Sequence, residues 1–200
     1  MQNTTSTIIN ISIDYAEDYP FDFTASHRAY AARCGYEYRQ ITEHLLPGAL
    51  PTWSKYPAAE AVILDRRAVM IIDTDAEILP ACPAFDALLD SHPDADLFMA
   101  LGHSFRPNAG MIILRGGHRG AAFINMLLSV RNTMIPQEDV AKPRGDNGHV
   151  INLVRHGPFR DKLHVLPSIW NNTMTPCDWD FIRHYTGPMR KWLQSSRLST

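Results

Sequence analysis

The chain has 200 residues, 45% hydrophobic and 20% charged, which suits one globular domain over residues 1–200 with a real core. Its formal net charge of −2 excludes the broad basic field that recruits nucleic acid or an acidic membrane surface, so nucleic acid is not an expected partner. No stretch approaches the ~18 apolar residues a membrane span needs. The first residues lack a basic, then apolar, leader pattern. The three cysteines lie far apart and build neither a disulfide framework nor a zinc knuckle. A cytoplasmic location is the expectation.

Along the chain, short β-like runs alternate with helix-like segments. Residues 7–13 are rich in β-branched side chains and predict a first strand. Residues 25–34 predict a helix that Gly35 stops. Residues 36–41 alternate large and polar side chains like a second strand. Two prolines and a glycine make residues 45–51 a loop. Residues 54–64 predict a helix, with Pro57 tolerated near its start. Residues 68–72 form a continuous apolar run, suited to a strand covered on both faces. A short helix follows at 85–89, strands at 96–101 and 110–114, and helices at 119–130 and 147–154. Late, short strands are expected at 163–166 and 181–182. This alternation predicts a three-layer α/β fold with a mainly parallel sheet, and such sheets bind ligands beyond the carboxyl ends of their strands.

The run ending at Ile72 is followed at once by Asp73-Thr74-Asp75. In extended chain, residues i and i+2 point the same way, so the two carboxylates can converge on one hard cation. Mg²⁺ and Mn²⁺ take oxygen ligands and commonly bridge to phosphate oxygens. A solvated turn is the competing reading of an isolated Asp-x-Asp; its place after a buried strand argues against it. Glu77 is read as a group at the surface or behind the ligands.

Four separated blocks, at Lys55 with Asp73-Thr74-Asp75, at Asn108-Ala109-Gly110, at Gly145-Asp146-Asn147-Gly148 and at His184-Tyr185-Thr186-Gly187, together resemble the retaining GT-A glycosyltransferases, closest to the glycogenin-like family 8 group, with the yeast-type galactosyl/mannosyltransferases as near kin. Trp53-Ser54-Lys55 with Ile71-Ile72-Asp73-Thr74-Asp75-Ala76 is similar to the family's lysine-bearing helix and Asp-x-Asp strand end. Pro107-Asn108-Ala109-Gly110-Met111 resembles its Asn-Ser/Ala-Gly block, and Gly145-Asp146-Asn147-Gly148 its Gly-Asp-Gln-Gly block. His184-Tyr185-Thr186-Gly187, with Arg190 and Trp192, resembles its closing block, although the family's proline before the tryptophan is missing here.

The resemblance implies a GT-A (Rossmann-like) fold and transfer of a hexose from a nucleoside diphosphate sugar, with a UDP-sugar as the expected donor, to a hydroxyl acceptor. That acceptor can be a glycan, a protein, a lipid-linked sugar or a small molecule. It also implies that Asp73, Asp75 and His184 hold Mn²⁺ or Mg²⁺. Lys55 lies near the donor's sugar or phosphate, and Asn108 and Asp146 contact sugar hydroxyls. Asp146, Asn147 and Lys55 form the catalytic set, with Asp146 the carboxylate that stabilises a sugar cation. Asn147 stands where glutamine is usual, which keeps the amide but shortens its reach. Thr74 and Ala109 belong to the donor-binding blocks, Gly187 allows close backbone approach to phosphate, and Arg190, or Lys191 in a shifted register, neutralises the diphosphate. Ser12, Asp14 and Tyr15, after the first strand, meet the nucleoside. Without a second glycosidase-like carboxylate, front-side attack with retention is expected. A nucleotidyltransferase would want a glycine-rich loop that residues 11–20 lack. The other alternative is a non-catalytic sugar-nucleotide-binding protein of the same fold.

Overall fold

A computed structural model describes residues 5–13 and 20–197. In chain order its elements are β1 (Thr7–Ile11), α1 (Thr24–Cys34), β2 (Glu37–Ile41), α2 (Lys55–Ile63), β3 (Ala68–Asp73), β4 (Ala76–Ile78) and α3 (Asp86–Ser91). They continue as β5 (Leu97–Ala100), β6 (Met111–Arg115), α4 (His118–Val130), α5 (Asp146–Arg155), β7 (Leu163–Leu166), β8 (Ile182–His184) and α6 (Gly187–Arg197).

Six strands form one sheet in the order β2-β1-β3-β6-β5-β7. β1 pairs in parallel with β2 and β3, and β5 with β7, while β6 runs antiparallel to both β3 and β5. The sheet is therefore mainly parallel, with β6 the reversed strand. Alternate side chains divide between its faces, as the pleat requires. Ile9, Val69, Ile71, Leu97, Met99, Ile112 and Leu114 pack with α2, α4 and α5 on one face. Ile8, Met70, Ile72, Phe98, Met111 and Ile113 pack with α1, α3 and residues of β4 and β8 on the other. Every residue of β1 is buried, which is why a five-residue run of TIINI suffices as an inner strand.

The sequence expectations hold for the elements of the large sheet and its helices, with shifts at their ends. β1 stops at Ile11, two residues short of the expected strand. The helix expected at 54–64 opens instead as a 3-10 turn, Pro51–Ser54, before α2 begins at Lys55. Gly35 ends α1 at φ 71°, in the left-handed region that glycine enters without a Cβ clash. Two elements were not expected. β4 has three residues and follows β3 after a two-residue turn, so no local period marks it. α6 opens on Gly187-Pro188, a pair that marks a turn in sequence and so hides the helix behind it. β4 and β8 form a second, two-stranded antiparallel sheet. Among the described residues, no helix is long and apolar enough to cross a membrane.

Candidate functional site

β3 delivers Asp73 as its last residue, with the Asp73 N–H donating to the Gly110 carbonyl at 2.8 Å. The chain then turns at Thr74 and Asp75 into β4. The Asp-x-Asp pair is thus brought together by a turn, not by the extended chain the sequence suggested. The register of the small sheet supplies the third group: Ala76 pairs with His184, and the Tyr185 N–H donates to the Asp75 carbonyl at 2.8 Å. His184 Nε2 consequently lies 3.2 Å from Asp75 Oδ1. One ligand atom from each of Asp73, Asp75 and His184 falls within 4.8 Å of the others. Gly110 makes room for this approach, because a Cβ there would stand 2.0 Å from His184 Cε1.

The charges at this corner are strongly coupled. Burial pushes the Asp73 carboxyl up, against the pull of Lys55 and His184. Burial acts in the same direction on Asp75, but His184 and Arg190 outweigh it and hold that carboxyl below its ordinary range. Burial would lower the His184 pKa, yet the Asp75 carboxylate outweighs it and raises it. His184 Nδ1 is buried without a hydrogen-bond partner. Two carboxylates and an imidazole with a free ring nitrogen suit a divalent ion that accepts oxygen and nitrogen, Mn²⁺ more than Mg²⁺.

Facing this corner is a second group. Lys55, in the first turn of α2, is 1% exposed; its Nζ lies 3.0 Å from Asp73 Oδ1, 3.0 Å from Asp146 Oδ2 and 2.9 Å from the Ala109 carbonyl. Burial would push this ammonium toward its neutral form; Asp146 and Asp73 outweigh that and hold its pKa above the usual range. A buried lysine without such partners would be costly, so the carboxylates explain its position. Asp146 opens α5, and Asn147 Oδ1 accepts from the Ala109 N–H at 2.8 Å. Asn108 Oδ1 accepts from the Gly110 N–H at 2.9 Å and from Asn171 Nδ2 at 3.0 Å. The three-residue stretch 108–110 thus links the cation corner to the start of α5.

Lys55, Asp73, Asp75, Asn108, Ala109, Asp146, Asn147 and His184 all line one cavity of about 390 Å³. Other expected residues lie elsewhere. Thr74 is fully buried and faces inward, donating to the Ile11 carbonyl and accepting from Asn10 Nδ2, so its role is to pin the turn. Ser12 donates its N–H to the Ile41 carbonyl at 2.8 Å and does not line the cavity, whereas Ile11 does. Arg190 is paired with Asp75 and also donates from Nε to the Tyr185 carbonyl at 2.7 Å; the alternative cation, Lys191, is exposed. Gly187, at φ 52°, packs against the ring of His103, where a Cβ would come within 2.6 Å. Asp14 and Tyr15 fall outside the described residues. Glu77 is half-buried and accepts from the Tyr185 hydroxyl at 2.6 Å.

Thr52, His103, Ser104, Arg106, Lys142 and Thr186 also line the cavity and were not singled out from sequence. Thr186 sits inside the closing block and was within reach of that reading. The others lie in connecting segments, where no period marks a side chain as facing a ligand.

No family model matches the sequence, and no curated protein matches it either. Solved structures do match. A glycosyltransferase involved in the glycosylation of the major capsid of PBCV-1 superposes with a TM-score of 0.67 at 14% identity, over 98% of this chain and 100% of that one. The galactosyltransferase LgtC, in complex with donor and acceptor sugar analogues, gives 0.56 at 14% identity over 91% of this chain and 87% of its own. Mouse xyloside xylosyltransferase 1 gives 0.51 at 13% identity over 90% and 97%. The chain shares the GT-A fold of these enzymes.

Proposed function

We propose that the chain is a metal-dependent glycosyltransferase that moves a hexose from a nucleoside diphosphate sugar, a UDP-sugar in the first instance, to a hydroxyl acceptor with retention of configuration. The reading is carried by one observation: the Asp73–Asp75–His184 corner and the Lys55–Asp146–Asn147 group line the same cavity, at the carboxyl end of β3. A nucleotide-sugar needs both, a counter-charge for its diphosphate and polar groups around its sugar.

Asp73, Asp75 and His184 would hold Mn²⁺ or Mg²⁺, which when bound neutralises the charge that builds on the diphosphate as the glycosidic bond breaks. The chain's own residues do the rest. Lys55 draws Asp73 and Asp146 toward one point through two 3.0 Å contacts. Asp146 presents a negative charge to the sugar as it gains oxocarbenium character. Asn147 uses Oδ1 on the Ala109 N–H, which leaves its amide N–H groups for a sugar hydroxyl. Arg190 is held at the corner by Asp75 and is the cation to be redirected to a phosphate oxygen. Among the described residues, Asp73, Asp75 and Asp146 are the carboxylates that line the cavity, and Lys55 bonds two of them. This supports front-side attack, with the leaving phosphate taking the acceptor's proton, over a double displacement.

The test is release of UDP from a panel of UDP-sugars with Mn²⁺ and then with EDTA. Slow hydrolysis of one sugar, lost with EDTA and abolished in Asp75→Ala, is the expected result. No turnover, together with no calorimetric binding of UDP with Mn²⁺, removes the reading; pyrophosphate release from a nucleoside triphosphate would replace it with nucleotidyl transfer.

A further inference from the structure

Tyr56 follows Lys55 in the first turn of α2 and is fully buried. Its hydroxyl donates to Asp146 Oδ2 at 2.7 Å, the oxygen that Lys55 Nζ also meets at 3.0 Å. Among the described residues no donor reaches Asp146 Oδ1, although Asp146 lines the cavity. One carboxylate oxygen is therefore held by two neighbouring residues and the other is left for whatever enters. The segment is anchored on its other side as well. Trp53 Nε1 donates to the Arg144 carbonyl at 3.0 Å, and Arg144 sits at φ 62°, a left-handed conformation that is costly for a non-glycine residue. Trp53 and Tyr56 thus hold the residues on either side of Gly145, which immediately precedes α5.

Lys55 alone would not fix Asp146. Its ammonium is shared among Asp73, Asp146 and the Ala109 carbonyl, so it restrains the carboxylate's position but not its rotation. A second donor on the same oxygen, from a rigid ring that is fully buried and packed 5.8 Å from Trp53, removes that rotation. The phenol stays protonated, because burial and the Asp146 charge both hold its pKa well above the usual value.

We infer that Tyr56 is a positioning residue for the proposed reaction: it locks Asp146 through Oδ2 so that Oδ1 faces the reacting sugar. The inference rests on the glycosyltransferase reading for its kinetic part and on geometry alone for its structural part. Tyr56→Phe tests it, since phenylalanine keeps the buried ring, and Lys55 still bonds Asp146. The expected kinetic result is a fall in kcat of about 10- to 100-fold, the loss typical of one hydrogen bond to a charged group, with the donor KM within about twofold and no further loss when the change is added to Asp146→Asn. A role confined to stability would instead lower Tm and leave kcat unchanged. The second arm needs no activity: a crystal structure of Tyr56→Phe is expected to show the Asp146 carboxylate rotated while the α5 backbone stays in place. An unrotated carboxylate, or an undiminished kcat in Tyr56→Phe when the wild type turns over, overturns the inference. A wild type with neither turnover nor binding of UDP with Mn²⁺ removes the glycosyltransferase reading, and the rotation alone then decides this one.

Discussion

Replacing Gly110 by alanine puts a methyl group 2.0 Å from His184 Cε1, 2.5 Å from Nδ1 and 2.9 Å from Asn108 Oδ1. Carbon atoms in contact sit about 3.5–4.0 Å apart, so the imidazole must retreat by about 1.5 Å or the backbone of β6 must shift. A metal site tolerates only about 0.2 Å in a ligand distance. The ring cannot move that far and remain a ligand together with Asp73 and Asp75. Disturbing groups merely behind the ligands costs 10- to 100-fold in metal affinity, so displacing one of three protein ligands should cost at least about 100-fold. The fold should survive, because the clash is with a side chain at the cavity wall, and overpacking of this kind costs about 1–3 kcal/mol. Gly110 also accepts the Asp73 N–H through its carbonyl, an interaction alanine retains. Calorimetric titration with Mn²⁺ at neutral pH, paired with a thermal melt, measures both quantities. Wild-type Mn²⁺ affinity in a folded Gly110→Ala variant would refute the reasoning, since either His184 is no ligand or Gly110 does not hold it there.

Two further outcomes depend on protons. His27 is fully buried, its Nε2 meets the Ala76 carbonyl, and its Nδ1 has no partner, so burial lowers its pKa to about 4. Because the folded state binds this proton more weakly than the unfolded state, its stability contribution is complete above the unfolded value near 6.5 and is lost as pH falls toward 4. That shift corresponds to about 3 kcal/mol, which His27→Gln should remove from the difference in unfolding free energy between pH 7 and pH 4; an unchanged difference would sink the assignment. His184 behaves in the opposite sense. Asp75 overcomes the effect of burial and raises its pKa above 6.5, and a metal ligand must be the neutral ring. Mn²⁺ affinity is therefore expected to fall as pH drops through that raised value, with release of up to one proton per ion in calorimetry across buffers of different ionisation enthalpy. Affinity and proton release that stay flat from pH 8 to pH 6 would contradict this.

The residues differ in how much of this was legible beforehand. The run 68–72 announced a strand covered on both faces, and the carboxylates after it announced charge at the sheet's ligand edge, because burial and edge position are written in a short contiguous stretch. The Gly35 stop and the helices at 119–130 and 147–154 were local for the same reason. Asn108 and Asp146 were reached through blocks of characteristic residues, and both line the cavity. Thr74, in a similar block, instead faces inward at the turn, and Arg190 reaches the corner only by pairing with Asp75, since a block marks a segment and not the direction each side chain takes.

What the sequence by itself determined was the order of the strands and helices of the large sheet, its mainly parallel layered build, and the strand whose end carries Asp73. The tertiary structure alone decided which distant groups meet there. His184 reaches Asp75 only through the register of β4 against β8, and a three-residue strand carries no period from which a register can be read. Tyr56 finds Asp146 across 90 residues. Lys55, by its local sequence an ordinary exposed helix charge, is buried because Asp73 and Asp146 arrive from two other segments to balance it. A charge can leave water only where its partners are already in place, and that condition is set by packing, not by neighbours along the chain.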